Sequence, residues 1–440
     1  MTATYSGTAQ SPAEAGATAT GPHSGTSADA ATAPYHDRTD RTTVHAPGTP
    51  VRRYGTGVVD GDDRLRALRA GVAEVARELR EHALAIDADP EGAALPFDSA
   101  AVALIRASAQ PPERRHASGA EGLLAGWRGT CLERVVATLE LARGDAGALL
   151  GAPGPALSGI VVDALGSPAQ RDRFHDRVAD GRTRTFFAMT EPDHGSDATA
   201  LETRLERTPD GYALYGRKRY IGNAARGGVG VVFARTGASA LSIRAVLVER
   251  PADGWTARRL DTLGLRGAWL SEIDFDGLPV AEEQVLGAHL PVSRRGLWGA
   301  LRTFNNVRIQ VGAMAVGTAL AMLDRVGELA PEAPGAEALR SRVEAARELA
   351  YRAAAEVDRN PDPRAAPAVA KLAGSALPVA VGQWAARVLG PAGLVSDPLL
   401  EKWTRDARGF EFMEGTSNMQ RLHIADGLLR RGPHGTERPS

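Results

Sequence analysis

Residues 185–191 read TFFAMTE, and at this point the chain changes its period. Upstream, Leu65, Leu68, Val72, Val75 and Leu79 recur at the three- and four-residue spacing that stacks side chains on one helix face. Residues 99–108 continue the pattern, and Leu132, Val135, Val136 and Leu139 repeat it. From residue 185 the apolar residues come instead in short β-branched or aromatic runs: YALYGRKRYIG (212–222), VGVVFAR (229–235), RAVLVER (244–250) and LSEIDFDGLPV (270–280). Turn signals such as PDG (209–211) and ADG (252–254) separate them. Helical spacing returns at Gly299 and runs to about Leu429, interrupted by proline and glycine clusters at 331–335 and 359–367. The expected fold is α+β: an N-terminal helical domain (56–182), a middle β-domain (183–290) and a C-terminal helical domain (291–432), with 433–440 a tail.

Residues 1–55 are dominated by Ala, Thr, Gly, Ser and Pro and hold almost no large aliphatic side chains. Such an arm cannot bury enough apolar surface to offset chain entropy and is expected to be disordered. It lacks the basic start and apolar core of a secretory leader, and no later run reaches the roughly 18 apolar residues of a membrane span. A soluble, cytoplasmic protein is expected. Lys plus Arg number 52 against 53 Asp plus Glu, so no basic surplus points to nucleic acid or an anionic membrane. A lone cysteine, Cys131, excludes an internal disulfide and any multi-cysteine metal site, and reads as a small buried hydrophobe. The 440 residues, 43% of them hydrophobic, suffice for a large core, so function is sought in a site.

The chain holds no G-x-G-x-x-G, no G-x-x-x-x-G-K-[ST], no G-x-S-x-G and no H-E-x-x-H. Two other stretches carry chemistry. In AMTEPDHGSDATAL (188–201) a strand runs into a polar turn, where Gly195, Ser196 and Asp197 set backbone N–H groups beside short hydroxyls. This is a cradle for phosphate or for the polar edge of a ring cofactor, or simply a capped turn. Asp193, His194 and Asp197 also admit a metal reading, which is not adopted, because turns supply such triplets by chance. In FEFMEGTSN (410–418), Glu414 sits between apolar residues and Gly415 just where a helix should begin. A desolvated carboxylate there is a general base; an exposed one is a charge favoured by the helix dipole.

AMTEPDHGSD resembles the flavin-contacting signature of the acyl-CoA dehydrogenases, and residues 405–429 (RDARGFEFMEGTSNMQRLHIADGLL) resemble their C-terminal catalytic segment. Residues 216–235 and 260–287 are similar to strands of that family's middle β-domain, in the same order. The resemblance spans about 60–430 and implies an FAD enzyme that removes two hydrogens from the Cα–Cβ bond of an acyl thioester. The acyl group would be carried by coenzyme A or an acyl carrier protein. Electron-transferring flavoprotein or oxygen would be the acceptor, and the protein a homodimer or homotetramer. The resemblance implies Glu414 as the base and Arg308 as the residue steadying its loop. It implies cofactor contacts at Met189, Thr190, Gly195, Ser196, Tyr220, Gly222, Gly390, Gly393 and Thr416. From residue type alone, Tyr220 is equally a core strand aromatic and Arg308 a surface ion-pair partner.

Three departures from the family pattern are visible. Gly222 stands where a Thr or Ser hydroxyl usually approaches flavin N5, and the run Lys218-Arg219-Tyr220-Ile221-Gly222-Asn223 resembles a plant acyl-CoA oxidase type, which keeps an oxidase open. The adenine-side Gly-Gly-x-Gly is Gly390-Pro391-Ala392-Gly393 here. Between residues 323 and 346 the Arg-x-x-Phe-Gly stretch that reaches a neighbour's FAD is missing, and Pro331 and Pro334 break the helix there. A member that binds a thioester or a partner protein without turnover is the remaining alternative.

Overall fold

In the computed structural model the described residues are 57–117, 120–250, 252–360 and 365–431; the expectations for the arm 1–55 and the tail 433–440 lie outside them. Five helices come first: α1 (Asp63–Ala88), α2 (Ala100–Ser108), α3 (Cys131–Gly151), α4 (Ala156–Leu165) and α5 (Pro168–Val178). Their starts are written in the sequence. Asp62 accepts from the Leu65 N–H, and Thr130 with Glu133, like Ser167 with Gln170, forms a reciprocal capping box.

Seven strands follow: β1 (Thr185–Ala188), β2 (Arg204–Thr208), β3 (Gly211–Ile221), β4 (Val229–Arg235), β5 (Ile243–Glu249), β6 (Trp255–Arg259) and β7 (Ser271–Val280). Their order is β1-β4-β2-β3-β7-β6, with β5 on β4. The sequence reading anticipates five of them and misses β2, RLERT, and β6, WTARR. Neither carries an apolar run of its own; both are held in place by antiparallel pairing, β2 with β3 and β6 with β7. Six helices close the chain: α6 (Gly296–Leu329), α7 (Ala336–Arg359), α8 (Ala366–Ser375), α9 (Leu377–Ser396), α10 (Pro398–Asp406) and α11 (Ser417–Arg431). The α+β architecture is as expected, and Pro331 and Pro334 do lie in the break between α6 and α7.

One expectation needs correction. Thr303–Leu329 within α6 is long and apolar enough to cross a membrane, but 78% of its apolar window is buried. It is the central helix of the bundle, packed with α1, α3, α7 and α8 in one core through Leu79, Val136, Leu320 and Val343. Cys131 is buried there as expected, and burial pushes its thiol up to about 12.

Two local features aim the site. Midway along α3, Asp145 leaves helical geometry (φ −163°, ψ 123°), and its carboxylate accepts from the Ala148 N–H, restarting the helix after the kink. Where α6 crosses α8, the helices touch through glycines: a Cβ on Gly374 would lie 2.6 Å from the Gly312 carbonyl oxygen. Only hydrogen at both positions allows that approach, which brings Lys371 of α8 beside Arg308 of α6.

Candidate active site

The turn after β1 is fixed from below. Glu191 is buried and accepts from the Glu202 N–H (2.6 Å), the Thr203 N–H (2.9 Å) and Lys218 Nζ (2.9 Å), which also donates to the Met189 carbonyl (2.9 Å). Burial works against the Glu191 charge, but Lys218 and these hydrogen bonds prevail and hold its carboxyl below the usual range. Burial pushes the Lys218 ammonium down to about 8. Above this floor Met189 and Thr190 are half-buried, while Gly195 and Ser196 are exposed. Asp197 caps the following turn by accepting from the Thr199 N–H (2.9 Å), so that part of the capped-turn reading is correct.

Strand β3 shifts register between Lys218 and Ile221, and the bulge turns Tyr220 out of the ladder with φ 62°. Tyr220 is 55% exposed, which overturns the reading of it as a core aromatic. The neighbouring Arg219 N–H donates to the Thr190 carbonyl (2.9 Å), so the phenol ring and the Thr190 turn form one edge. At Gly222 an added Cβ would meet only the Ala268 carbonyl oxygen, at 3.6 Å. Ala268 belongs to an apolar patch with Leu265, Met314 and Phe410, against which Leu149, Leu150 and Met413 pack. This buried cluster thus joins Ala268, beside Gly222, to Met413, the residue before Glu414.

Glu414 sits in a turn with φ 54°, a left-handed conformation uncommon for a residue with a side chain. The turn is held by its backbone. Lys371 Nζ donates to the carbonyls of Glu411 (3.0 Å) and Gly415 (2.5 Å), and Gln420 Nε2 donates to those of Glu414 and Gly415 (3.0 Å each). Loss of hydration pushes the Glu414 carboxyl above the ordinary carboxylate range, against the opposing pull of Arg308 and Lys371. Of the two apolar residues before Glu414, Met413 packs against the core, while the Phe412 ring is 72% exposed and shields nothing. The helix-terminus charge anticipated as the alternative for Glu414 is instead Glu411, which accepts from the Ser417 N–H (2.7 Å) and hydroxyl (2.5 Å) at the start of α11.

Arg308 is half-buried rather than a surface ion-pair partner: Nη1 donates to Asn305 Oδ1 (3.2 Å), and Nη2 lies 3.2 Å from His423 Nε2. It acts on Glu414 through its charge, while the loop backbone is held by Lys371 and Gln420, which the sequence reading did not single out. Gly390, with φ 71° and ψ 164°, and Gly393 lie at a kink in α9. No hydrogen bond among the described residues joins them to the Thr190–Tyr220 edge. Of the six non-glycine residues with left-handed φ among the described residues, Tyr220, Asn223, Leu265, Trp269 and Glu414 fall in or beside this site, the clustering expected of functional strain.

The residues at this edge fit a flavin. The hydroxyls of Thr190, Ser196 and Thr416 make no hydrogen bond among the described residues, Tyr220 offers an exposed ring with the Arg219 guanidinium 5.3 Å from its centroid, and Gly222 leaves open space beside it.

Residues 186–278 match the acyl-CoA dehydrogenase middle domain, and residues 294–429 the acyl-CoA dehydrogenase C-terminal domain. The short-chain specific acyl-CoA dehydrogenase of Homo sapiens, a mitochondrial protein, is 32% identical over 318 residues, 68% of this chain and 76% of that protein. A glutaryl-coenzyme A dehydrogenase solved with glutaryl-CoA superposes with a TM-score of 0.71 at 25% identity, covering 86% of this chain and 98% of the other. The prolyl acyl carrier protein oxidase AnaB, at 21% identity, shares the fold with a TM-score of 0.69 over 83% of this chain and 99% of its own. With the two matched domains and the site geometry in agreement, the chain belongs to the acyl-CoA dehydrogenase family, FAD-dependent oxidoreductases acting on CH–CH bonds.

Proposed function

We propose that this protein desaturates an acyl thioester between Cα and Cβ, with Glu414 as the base. The observation that carries this reading is a half-buried carboxylate, raised by lost hydration, on a strained turn whose Met413 packs against the same buried cluster as Ala268 beside Gly222. The cluster is packed core that shields the Met413 side of the turn from water, with Leu149 and Leu150 of α3 packed against it. The Glu414 carboxylate takes the α proton, and the α C–H electron pair becomes the new C=C as the β hydrogen leaves with its bonding pair. Bound at the edge formed by Met189, Thr190, Ser196, Tyr220 and Thr416, FAD supplies the acceptor for that hydride. A carboxyl raised by burial is a stronger base once ionised, which suits removal of a weakly acidic proton.

The test is Glu414→Gln, which keeps the shape and cannot accept the proton. Turnover is expected to fall by roughly 10²–10⁴-fold or more with FAD still bound. Near wild-type turnover would overturn the assignment. In the wild type, kcat should fall as pH drops through a Glu414 pKa above the ordinary carboxylate range, since only the ionised form accepts the proton.

A second reading, oxygen as electron acceptor in place of an electron-transferring flavoprotein, is favoured by Gly222, where no side chain fills the space beside Ala268. Reduction by an acyl thioester under anaerobic conditions, followed by air, separates the two. Rapid reoxidation supports the oxidase, and persistent reduction the dehydrogenase. Parallel assays with coenzyme A and carrier-protein thioesters assign the acyl carrier.

A further inference from the structure

Lys371 is fully buried, yet among the described residues its ammonium has no ion-pair partner. A buried charge of this kind is costly and is retained where its field or its donors are used. Its two hydrogen-bond partners among the described residues are the carbonyls of Glu411 and Gly415, which bracket Glu414 in the chain. We propose that Lys371 is the positioning residue of the base: it pins both ends of the Glu414 turn and sets the charge that Glu414 meets. The inference rests on Glu414 being the base and adds what holds and tunes it.

The geometry supports both roles. The Gly312–Gly374 contact brings α8 against α6 closely enough that Lys371 and Arg308 act on Glu414 together. The charged groups around the turn come from four elements: Arg308 on α6, Lys371 on α8, Glu411 in the turn before α11, and His423 on α11, beside Arg308 and influenced by Asp426. Burial pushes Lys371 down to about 8, with Glu411 and Glu414 pulling the other way. Near neutrality Lys371 therefore carries its proton, and its charge favours the ionised form of Glu414. Removing that charge raises the Glu414 pKa and moves the acid limb of kcat to higher pH.

Three variants divide the roles. Lys371→Gln keeps donors toward the carbonyls and removes the charge, Lys371→Met removes both, and Lys371→Arg restores the charge. Each is compared with Glu414→Gln as the FAD-loaded enzyme, through kcat against pH and an infrared titration of the Glu414 carboxyl that needs no turnover. Lys371→Gln is expected to shift the acid limb and the carboxyl titration upward by about one pH unit. Lys371→Met should show that shift with a further loss of kcat of about tenfold or more, and Lys371→Arg should bring the limb back. An unmoved limb and titration in Lys371→Gln would overturn the inference. If Lys371→Met does not fold, the Gln and Arg variants still decide. Should Glu414→Gln keep its turnover, the base assignment fails instead, and the infrared titration still reports whether Lys371 tunes Glu414.

Discussion

Lys402 and Lys371 are both buried lysines of the C-terminal helices, and they are satisfied in opposite ways. Lys402 on α10 lies between two carboxylates, Asp145 Oδ2 at 2.5 Å and Asp406 Oδ2 at 2.6 Å. Burial opposes its charge, but the two carboxylates prevail and hold its proton above the ordinary range, while burial pushes Asp406 up to about 6. Trp403 Nε1 (3.3 Å) and the Ala148 N–H (2.8 Å) complete the shell around Asp145. Lys371 donates only to carbonyls, and burial lowers its ammonium to about 8, so near neutrality it is a charge with no carboxylate bonded to it. A charge whose partners are all internal fixes architecture, here the α3 kink. One left without a bonded carboxylate projects its field on the turn it holds, on Glu411 and on Glu414.

The largest effect should therefore fall on stability, at Lys402. Lys402→Met leaves two buried carboxylates without their cation, and the fold is expected to lose about 3–5 kcal/mol, read by chemical denaturation. The loss should shrink as pH falls through about 6, because Asp406, raised by burial, then takes up a proton. A loss under about 1 kcal/mol at pH 8 would mean the triad is no more than an exposed pair in strength. By contrast, Lys371→Met should affect kcat more than stability.

The next effect tests how Lys371 reaches its place. Gly374→Ala puts a methyl 2.6 Å from the Gly312 carbonyl oxygen, and helix backbone has no easy way to yield. A loss of about 1–3 kcal/mol is expected, with a fall in kcat as α8 backs away from the Glu414 turn. Unchanged stability with unchanged kcat would show that the crossing is looser than its geometry and would separate Lys371 from it.

The fold was legible because its signals are local and periodic. Leu65 to Leu79 show one helix face, and residues 229–235 show a buried strand, without reference to partners. Strands β2 and β6 were missed because their stability comes from pairing, which a linear pattern does not display. Glu414, Thr190 and Ser196 were singled out through the motifs around them. Lys371 was not: nothing in APAVAKLAGS sets it apart, and only the Gly312–Gly374 crossing turns it inward. The exposed ring of Tyr220 depends on a bulge, and the exposed ring of Phe412 on a turn, neither of which residue type announces.

The smallest effect concerns Glu411, the carboxylate whose charge acts most strongly on Lys371. It caps α11 through Ser417, and its carboxyl is held below the ordinary range: burial resists, but the Ser417 hydrogen bonds and the Lys371 charge prevail. Glu411→Gln keeps an oxygen for the Ser417 N–H and removes the charge at the helix N-terminus. A loss of about 0.3–1 kcal/mol is expected at low salt, and it should diminish as salt screens the exposed part of the interaction. The same change takes away one of the two acids that raise the Lys371 pKa, so that ammonium should deprotonate at lower pH than in the wild type. If the stability difference is insensitive to salt, hydrogen-bond geometry rather than charge accounts for it. Lys371 would then face Glu414 as its one effective counter-charge, which makes the contrast with the doubly paired Lys402 sharper still.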